Sequence, residues 1–253
     1  MAKTMRHLVI VVILIVFWEL LARSGWYPPL LFPPLRDILR SLSIHKQEIL
    51  YRTCYSISLI GKGFSVSIGV AFLLAGLAVF YKPISEGVST LMGIMHPLPA
   101  IAILPIALLW FGSGNRSIIA IIIFSSLWPL IANIYNGFRS VPATQLEVGR
   151  NLGLKGMNLM LKVMLPASLP HILTGLRIGW ARAWQASVAA EMVFGASGGE
   201  GGIGWFLYKK RFMMEIPGAF AGLTIIIIIG ILVENIILAY IENNTIKKWK
   251  MAG

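Results

Sequence analysis

Residues 217–240 hold one charged side chain, Glu234, and five consecutive isoleucines, Ile225–Ile229. A run that long and apolar meets the roughly 20 residues that a helix needs to cross the hydrocarbon of a bilayer. Comparable runs recur along the chain. Six spans are predicted, at about 7–25, 55–80, 86–111, 117–138, 168–194 and 217–240. Composition agrees, because 57% of the 253 residues are hydrophobic and only 13% charged, against about 25% charged in a soluble domain. The expected fold class is an all-α polytopic membrane protein. It forms one transmembrane domain over residues 1–253, with no internal repeat.

The net charge of +12 raises nucleic acid as a partner. The Lys and Arg residues, however, are spread through loops and helix ends without a basic stripe, so membrane lipid is the expected contact and nucleic acid is not. The single cysteine, Cys54, excludes an internal disulfide and argues against a thiolate metal site. His7, His45, His96 and His171 lack ligand spacing, and no metal is expected. Lys3 and Arg6 followed by the apolar run Leu8–Trp18 imitate a secretory signal. No small-x-small cleavage site comes after it, so an uncleaved first helix is expected, with Glu19 and Arg23 paired four residues apart.

Between the first two spans, Pro28-Pro29-Leu30-Leu31-Phe32-Pro33-Pro34 cannot be regular helix. The amphipathic stretch Leu35–Leu50 suits the membrane surface. Trp26, Trp110, Trp205 and Trp249 near span ends suit interface anchors. Lys62 is placed to snorkel, and Glu234 to pair with a neighbouring helix. The basic residues divide almost evenly between the two sides of the membrane, so charge does not orient the chain.

Two segments carry candidate function. The first is the polar run Glu147-Val148-Gly149-Arg150-Asn151-Leu152-Gly153, set between apolar stretches. A short helix is expected from near Gln145, with Thr144 as its cap, Glu147 in its first turn and Gly153 ending it in a left-handed conformation. Leu146, Val148, Leu152 and Leu154 offer apolar contact. Such a helix suits docking into a partner's groove and equally suits the membrane interface. The second is the fifth span, where Arg177, Trp180, Trp184, Ser187 and Glu191 recur at steps of three and four. That stripe suits the lining of a translocation path, or two Trp packed between helices with charges near opposite surfaces. Gly175, Gly179 and Ala183 form a small-residue stripe for close helix packing. Pro97, Pro99 and Pro105 break the third span, which suits a helix bordering a substrate path and equally a packed kink. No G-x4-G-K-[ST] phosphate loop is present, and no constellation supports an intramembrane enzyme.

The run from Glu147 to Gly153, with Val163 and Leu165-Pro166 beyond it, resembles the E-A-A-x3-G-x9-I-x-L-P loop of binding-protein-dependent ABC importer permeases. Further residues carry the likeness toward the nitrate/sulfonate/taurine type. They are Pro97–Ala100 through Leu109–Gly112, Trp128-Pro129-Leu130, Asn136–Val141, Leu165–Pro170, Gly175-Leu176-Arg177 and Ala190-Glu191. Together they cover about residues 95–205. The chain departs from the pattern at Val148 and Gly149, which stand for two alanines, at Val163 for isoleucine, and in the glycine-rich stretch Gly198–Gly202.

The resemblance implies a type I ABC-importer permease of MetI-like architecture. It implies a cytoplasmic coupling loop over about 140–166, with Leu146, Glu147, Gly149, Arg150, Leu152, Gly153 and Leu154 facing an ATPase. The pathway would run along Pro97, Pro99, Arg177, Trp180, Trp184, Ser187 and Glu191. Implied partners are ABC ATPase subunits, an extracytoplasmic substrate-binding protein and a second, identical permease chain. ATP and Mg would sit on the ATPase, and this chain would bind no cofactor. The implied setting is a bacterial or archaeal cytoplasmic (inner) membrane with both termini inside, and the implied cargo an oxyanion such as sulfonate, taurine or nitrate, with thiamine-precursor-like or other small organic solutes as the alternative. The alternative is a stand-alone, ion-gradient-driven transporter or channel using Glu191 and Glu234.

Overall fold

The computed structural model describes residues 2–28, 30–195, 201–242 and 244, and among them every regular element is helical. The first helix, α1 (Ala2–Arg23), is apolar on all sides from Val9 to Phe17, which are exposed around its circumference. A helix without a polar face belongs in an apolar medium. Its last turn is fastened to the proline stretch and to the helix beyond it. Glu19 Oε1 pairs with Arg23 Nε at 2.5 Å, and Glu19 Oε2 accepts the Leu35 N–H at 2.9 Å, where α2 (Leu35–Ile44) begins. Trp18 Nε1 donates to the Pro33 carbonyl at 3.1 Å.

The stretch 35–50 is not one surface helix. It breaks at His45, and α3 (Lys46–Phe80) starts immediately. With 35 residues, α3 is about 52 Å long and extends well beyond the hydrocarbon. The expected third span, 86–111, is also divided. α4 (Lys82–Met95) leads through a 3-10 turn (Ala100–Ile103) into α5 (Leu104–Phe111), with a 94° bend between the two segments. Pro97 and Pro99 lie in the break. Each lacks an amide donor and pushes the residue before it out of the helical region, so no helix can run through. Pro105 falls in the first turn of α5, where its missing N–H has no helical partner to lose.

The next helix, α6 (Asn115–Arg139), is succeeded by α7 (Ala143–Asn151), α8 (Gly156–Leu159), a π-helical turn (Met160–Met164) and α9 (Leu165–Ala167). A 72° bend leads into α10 (Leu169–Phe194). Beyond it lie α11 (Ile203–Phe212), α12 (Ile216–Leu232), a second π-helical segment (Val233–Leu238) and α13 (Ala239–Glu242). Among the described residues, three helices are long and apolar enough to cross a membrane, Lys46–Phe80, Asn115–Arg139 and Ile216–Glu242, and the two bent pairs bring the number to five if each is one span.

The centre of the bundle is α6, which packs most extensively on α10 and α3. The core has two parts, one around Ile60, Ile122, Ala183 and Phe206, the other around Ala75, Leu130, Ile134 and Phe138. The small-residue stripe of α10 does what its spacing suggests. A Cβ on Gly175 would stand 2.8 Å from Asn133 Cβ, one on Gly179 would stand 3.0 Å from Leu130 Cγ, and Ala183 is fully buried. Close backbone approach replaces side-chain contact there. Trp26 and Trp110 are exposed, whereas Trp205 is half-buried and stacks on Tyr208 at 5.5 Å. Trp249, the lysines Lys247, Lys248 and Lys250, and residues 196–200 of the glycine-rich stretch lie outside the described residues.

Candidate docking helix and intramembrane polar site

The polar run forms α7, but the helix starts earlier than its sequence suggests. Pro142 is the N-cap, and its carbonyl accepts the N–H groups of Gln145 (3.0 Å) and Leu146 (3.3 Å). Thr144 therefore lies inside the helix without capping it, and Glu147 falls beyond the first turn. The other end is as expected. Gly153 takes φ +79°, its N–H reaches Arg150 O at 2.9 Å, and the Leu154 N–H reaches Gly149 O at 3.0 Å. These two bonds are a Schellman closure, which needs a left-handed residue at the glycine position.

The candidate coupling residues divide between two faces. Leu146 packs on the core cluster around Leu130 and Phe138, Leu154 is half-buried, and Gly149 is buried. A Cβ on Gly149 would stand 2.7 Å from Leu159 Cδ1 and 3.0 Å from Val163 Cγ2. Leu146 and Gly149 thus fix α7 to the bundle, which turns Leu146 inward from the outward contact expected of it, while Leu154 lies beside Gly149 and lines the adjoining groove. Glu147, Arg150, Leu152 and Gly153 are exposed, as is Val148. Leu152 shows 75% of its surface and Val148 58%. An exposed apolar pair flanked by an acid and a base suits protein contact more than solvent. Beside it runs a groove of about 760 Å³, lined by Thr144, Gln145, Val148, Leu152, Lys162 and Pro166 among others.

Among the described residues, the pathway candidates do not gather around one cavity. Trp180 and Trp184 stack at 6.5 Å, with Phe64 edge-on to Trp180 at 6.0 Å. Ser187 and Glu191 are fully buried. Glu191 Oε1 accepts Ser187 Oγ at 3.1 Å, and Oε2 accepts both Ser56 Oγ and the Gly204 N–H at 2.9 Å. Ser56 Oγ in turn accepts the Ile203 N–H at 2.9 Å. Glu191 therefore ties α3 and α10 to the first turn of α11, where the helix dipole favours an anion. Arg177 pairs with Glu242 at 2.6 Å. Pro97 and Pro99 are exposed on the α4–α5 elbow.

One charged residue outside the expected set stands out, Arg182. It lies near the middle of α10, and its side chain makes no ion pair or hydrogen bond with any described residue. An arginine at the centre of a span costs about 2.5–3.5 kcal/mol on insertion scales, so it signals a cavity or a partner. Arg182 lies off the 177–191 stripe, so periodicity does not select it, although a mid-span charge is itself the signal. It lines a cavity of about 410 Å³ with Arg177, Ile178, Ala181, Gln185 and Glu234. Arg182 also lines a second, smaller cavity with His96, Leu98 and Trp128 among others, beside the proline elbow. Glu234 lines the same cavity as α10 residues but, contrary to the expected pairing with a neighbouring helix, forms no ion pair among the described residues.

A helical membrane bundle with a short anchored helix that exposes an apolar pair, and a cleft lined by charged side chains of α10 and the last helix, fits a transport permease. The chain belongs to the family described as the binding-protein-dependent transport system inner membrane component, whose pattern matches residues 67–247, and it has the MetI-like fold of ABC importer permeases. It is a multi-pass inner membrane protein. It is 33% identical over 235 residues to a protein named as an ABC transporter permease in Methanocaldococcus jannaschii, covering 90% of this chain and 86% of that one. A formylaminopyrimidine transport permease of Halalkalibacterium halodurans is 28% identical, covering 90% of this chain and 92% of its own. A Bacillus subtilis protein named as an aliphatic sulfonates transport permease is also 28% identical, over 92% of this chain and 84% of its own. These relatives are transport permease subunits, not enzymes, and membership disfavours the stand-alone gradient-driven transporter.

Proposed function

We propose that this chain and a second, identical copy form the pathway of an ATP-driven uptake system for a small oxyanion, such as a sulfonate, taurine or nitrate. In this reading α1, α3, the α4–α5 pair, α6, α10 and the Ile216–Glu242 helix are six spans. Both termini and α7 face the cytoplasm. An ATPase subunit, which carries ATP and Mg, receives α7 in a cleft, and a substrate-binding protein delivers cargo on the opposite side. The observation that carries the reading is α7 itself. Val148 and Leu152 are exposed, while Leu146 packs on the core and Gly149 lies against Leu159 and Val163 of the segment that leads into α10.

That attachment supplies a mechanism. Closure of the paired ATPases on ATP would bring two α7 helices together. Because α7 is packed against Leu159 and Val163, the displacement passes through the π-helical turn and the 72° bend into α10. The two copies would then rock between inward- and outward-facing states, each stabilised by its own contacts. The sulfonate-named relative and the mid-span Arg182 support the oxyanion class.

Gly153→Val tests the coupling. A β-branched side chain at φ +79° is strained, so the Schellman closure opens and the Leu152 tip moves. The variant is expected in the membrane at normal level, with co-purifying ATPase reduced at least about tenfold, equivalent to about 1.4 kcal/mol of docking energy. Normal ATPase recovery with Gly153→Val would contradict the docking role.

A further inference from the structure

We propose that the cavity between α10 and the π-helical segment Val233–Leu238 is a transit site for a small zwitterionic oxyanion, an aminosulfonate or amino-acid-like solute. Its anionic group sits on Arg182 and its cationic group on Glu234. This deepens the proposed uptake function and rests on it.

The cavity, an open cleft of about 410 Å³, presents the half-buried Arg177 and the exposed side chains of Arg182, Gln185 and Glu234. The Arg177 charge is already answered, since Glu242 stands 2.6 Å away. Arg182 and Glu234 remain. They are of opposite sign and face one space, yet neither pairs with the other nor with any described residue. Within a span, opposite charges ordinarily close on one another, because an unanswered charge is costly in low dielectric. Two held apart across a cavity are complementary to a molecule that carries both. A simple anion would call for the arginine alone.

The walls agree with that ligand. Gln185 lies one turn from Arg182 on the same helix face, and its amide can add a donor to oxyanion oxygens or an acceptor to an ammonium group. Ile178 and Ala181 give an apolar patch for a short alkyl linker. The volume lies at the small end of ligand pockets. Glu234 sits in a π-helical segment, a departure from α-helical spacing that recurs at functional sites.

The test uses the complete complex, this chain with its ATPase subunits in lipid nanodiscs, and two radiolabelled probes. Taurine carries a sulfonate and an ammonium; ethanesulfonate carries only the sulfonate. Wild type is expected to bind taurine at least about tenfold tighter. Glu234→Gln should lower taurine binding to the ethanesulfonate level and leave ethanesulfonate unchanged. Arg182→Gln should abolish both, and Arg182→Lys should restore part of each. Elution of every variant with its ATPase separates loss of the site from loss of fold. Equal binding of the two probes, a preference that survives Glu234→Gln, or no taurine binding by wild type overturns the proposal. If the ATPase co-elutes and hydrolyses ATP while taurine fails to bind, the transit site falls and the coupling reading stands. A complex without ATPase sinks the coupling reading and this proposal with it.

Discussion

Glu191 and Arg182 are both charged residues of α10, and the bundle treats them in opposite ways. Glu191 is enclosed, and its carboxylate accepts three hydrogen bonds, from Ser56, Ser187 and the Gly204 N–H. Arg182 is left facing a cavity. Removing the carboxylate would leave buried donors on three helices without an acceptor, a loss of roughly 2–4 kcal/mol. Glu191→Ala should therefore melt well below wild type in detergent, and Glu191→Gln, which keeps one acceptor, should lie between them. An unchanged melting temperature for Glu191→Ala would show that the network holds nothing. Periodicity places Glu191 on a stripe with Arg177, and the stripe exists. Its neighbours are not legible, because Ser56 is 135 residues away in sequence and Gly204 arrives from beyond the glycine-rich stretch.

Among the elements, α7 is the most legible, because a glycine at a helix end carries its own conformational reason. Its start is less so. Thr144 is a good cap in isolation, but Pro142 with φ −57° and ψ 138° already sets the entry to the helix two residues earlier. The proline break after α4 is legible as a break, while its 94° angle depends on packing that no local rule supplies. The α10 stripe of small residues is legible because its purpose is local backbone approach. Gly175→Leu tests it. A side chain forced between α10 and Asn133 of α6 overpacks a close seam of the bundle, at a cost of about 1–3 kcal/mol. A lowered melting temperature and a broadened elution profile are expected, with Gly175→Ala milder. If Gly175→Leu behaves as wild type, the α6–α10 seam is looser than its geometry implies.

Across the whole molecule, the α2–α3 corner is clasped to the start of α12 by three side chains. His45 Nε2 lies 2.7 Å from Glu215 Oε1, and the buried Lys210 donates to Glu215 Oε2 at 2.6 Å. Partial burial pushes the Glu215 carboxyl up, but hydrogen bonds from Lys210 and His45, together with their charges, outweigh it and hold the group below its ordinary value of 4.5. A lowered folded pKa means stability gained above that ordinary value and lost as pH falls through the folded one. Melting temperature should drop on acidification below about pH 4.5, and Glu215→Gln should flatten the drop. A Glu215→Gln variant with the full wild-type acid drop would contradict the clasp.

The central claim, that this permease is driven through α7 by a separate ATPase, is tested most directly by purifying the chain from its native membranes in mild detergent and identifying what co-elutes by mass spectrometry. A stoichiometric subunit carrying a phosphate-binding loop is expected, lost when Leu152 is replaced by Asp on the exposed face of α7. A clean permease oligomer without ATPase, reproduced in stabilising lipid, would contradict the claim and leave α7 as a helix of the membrane surface.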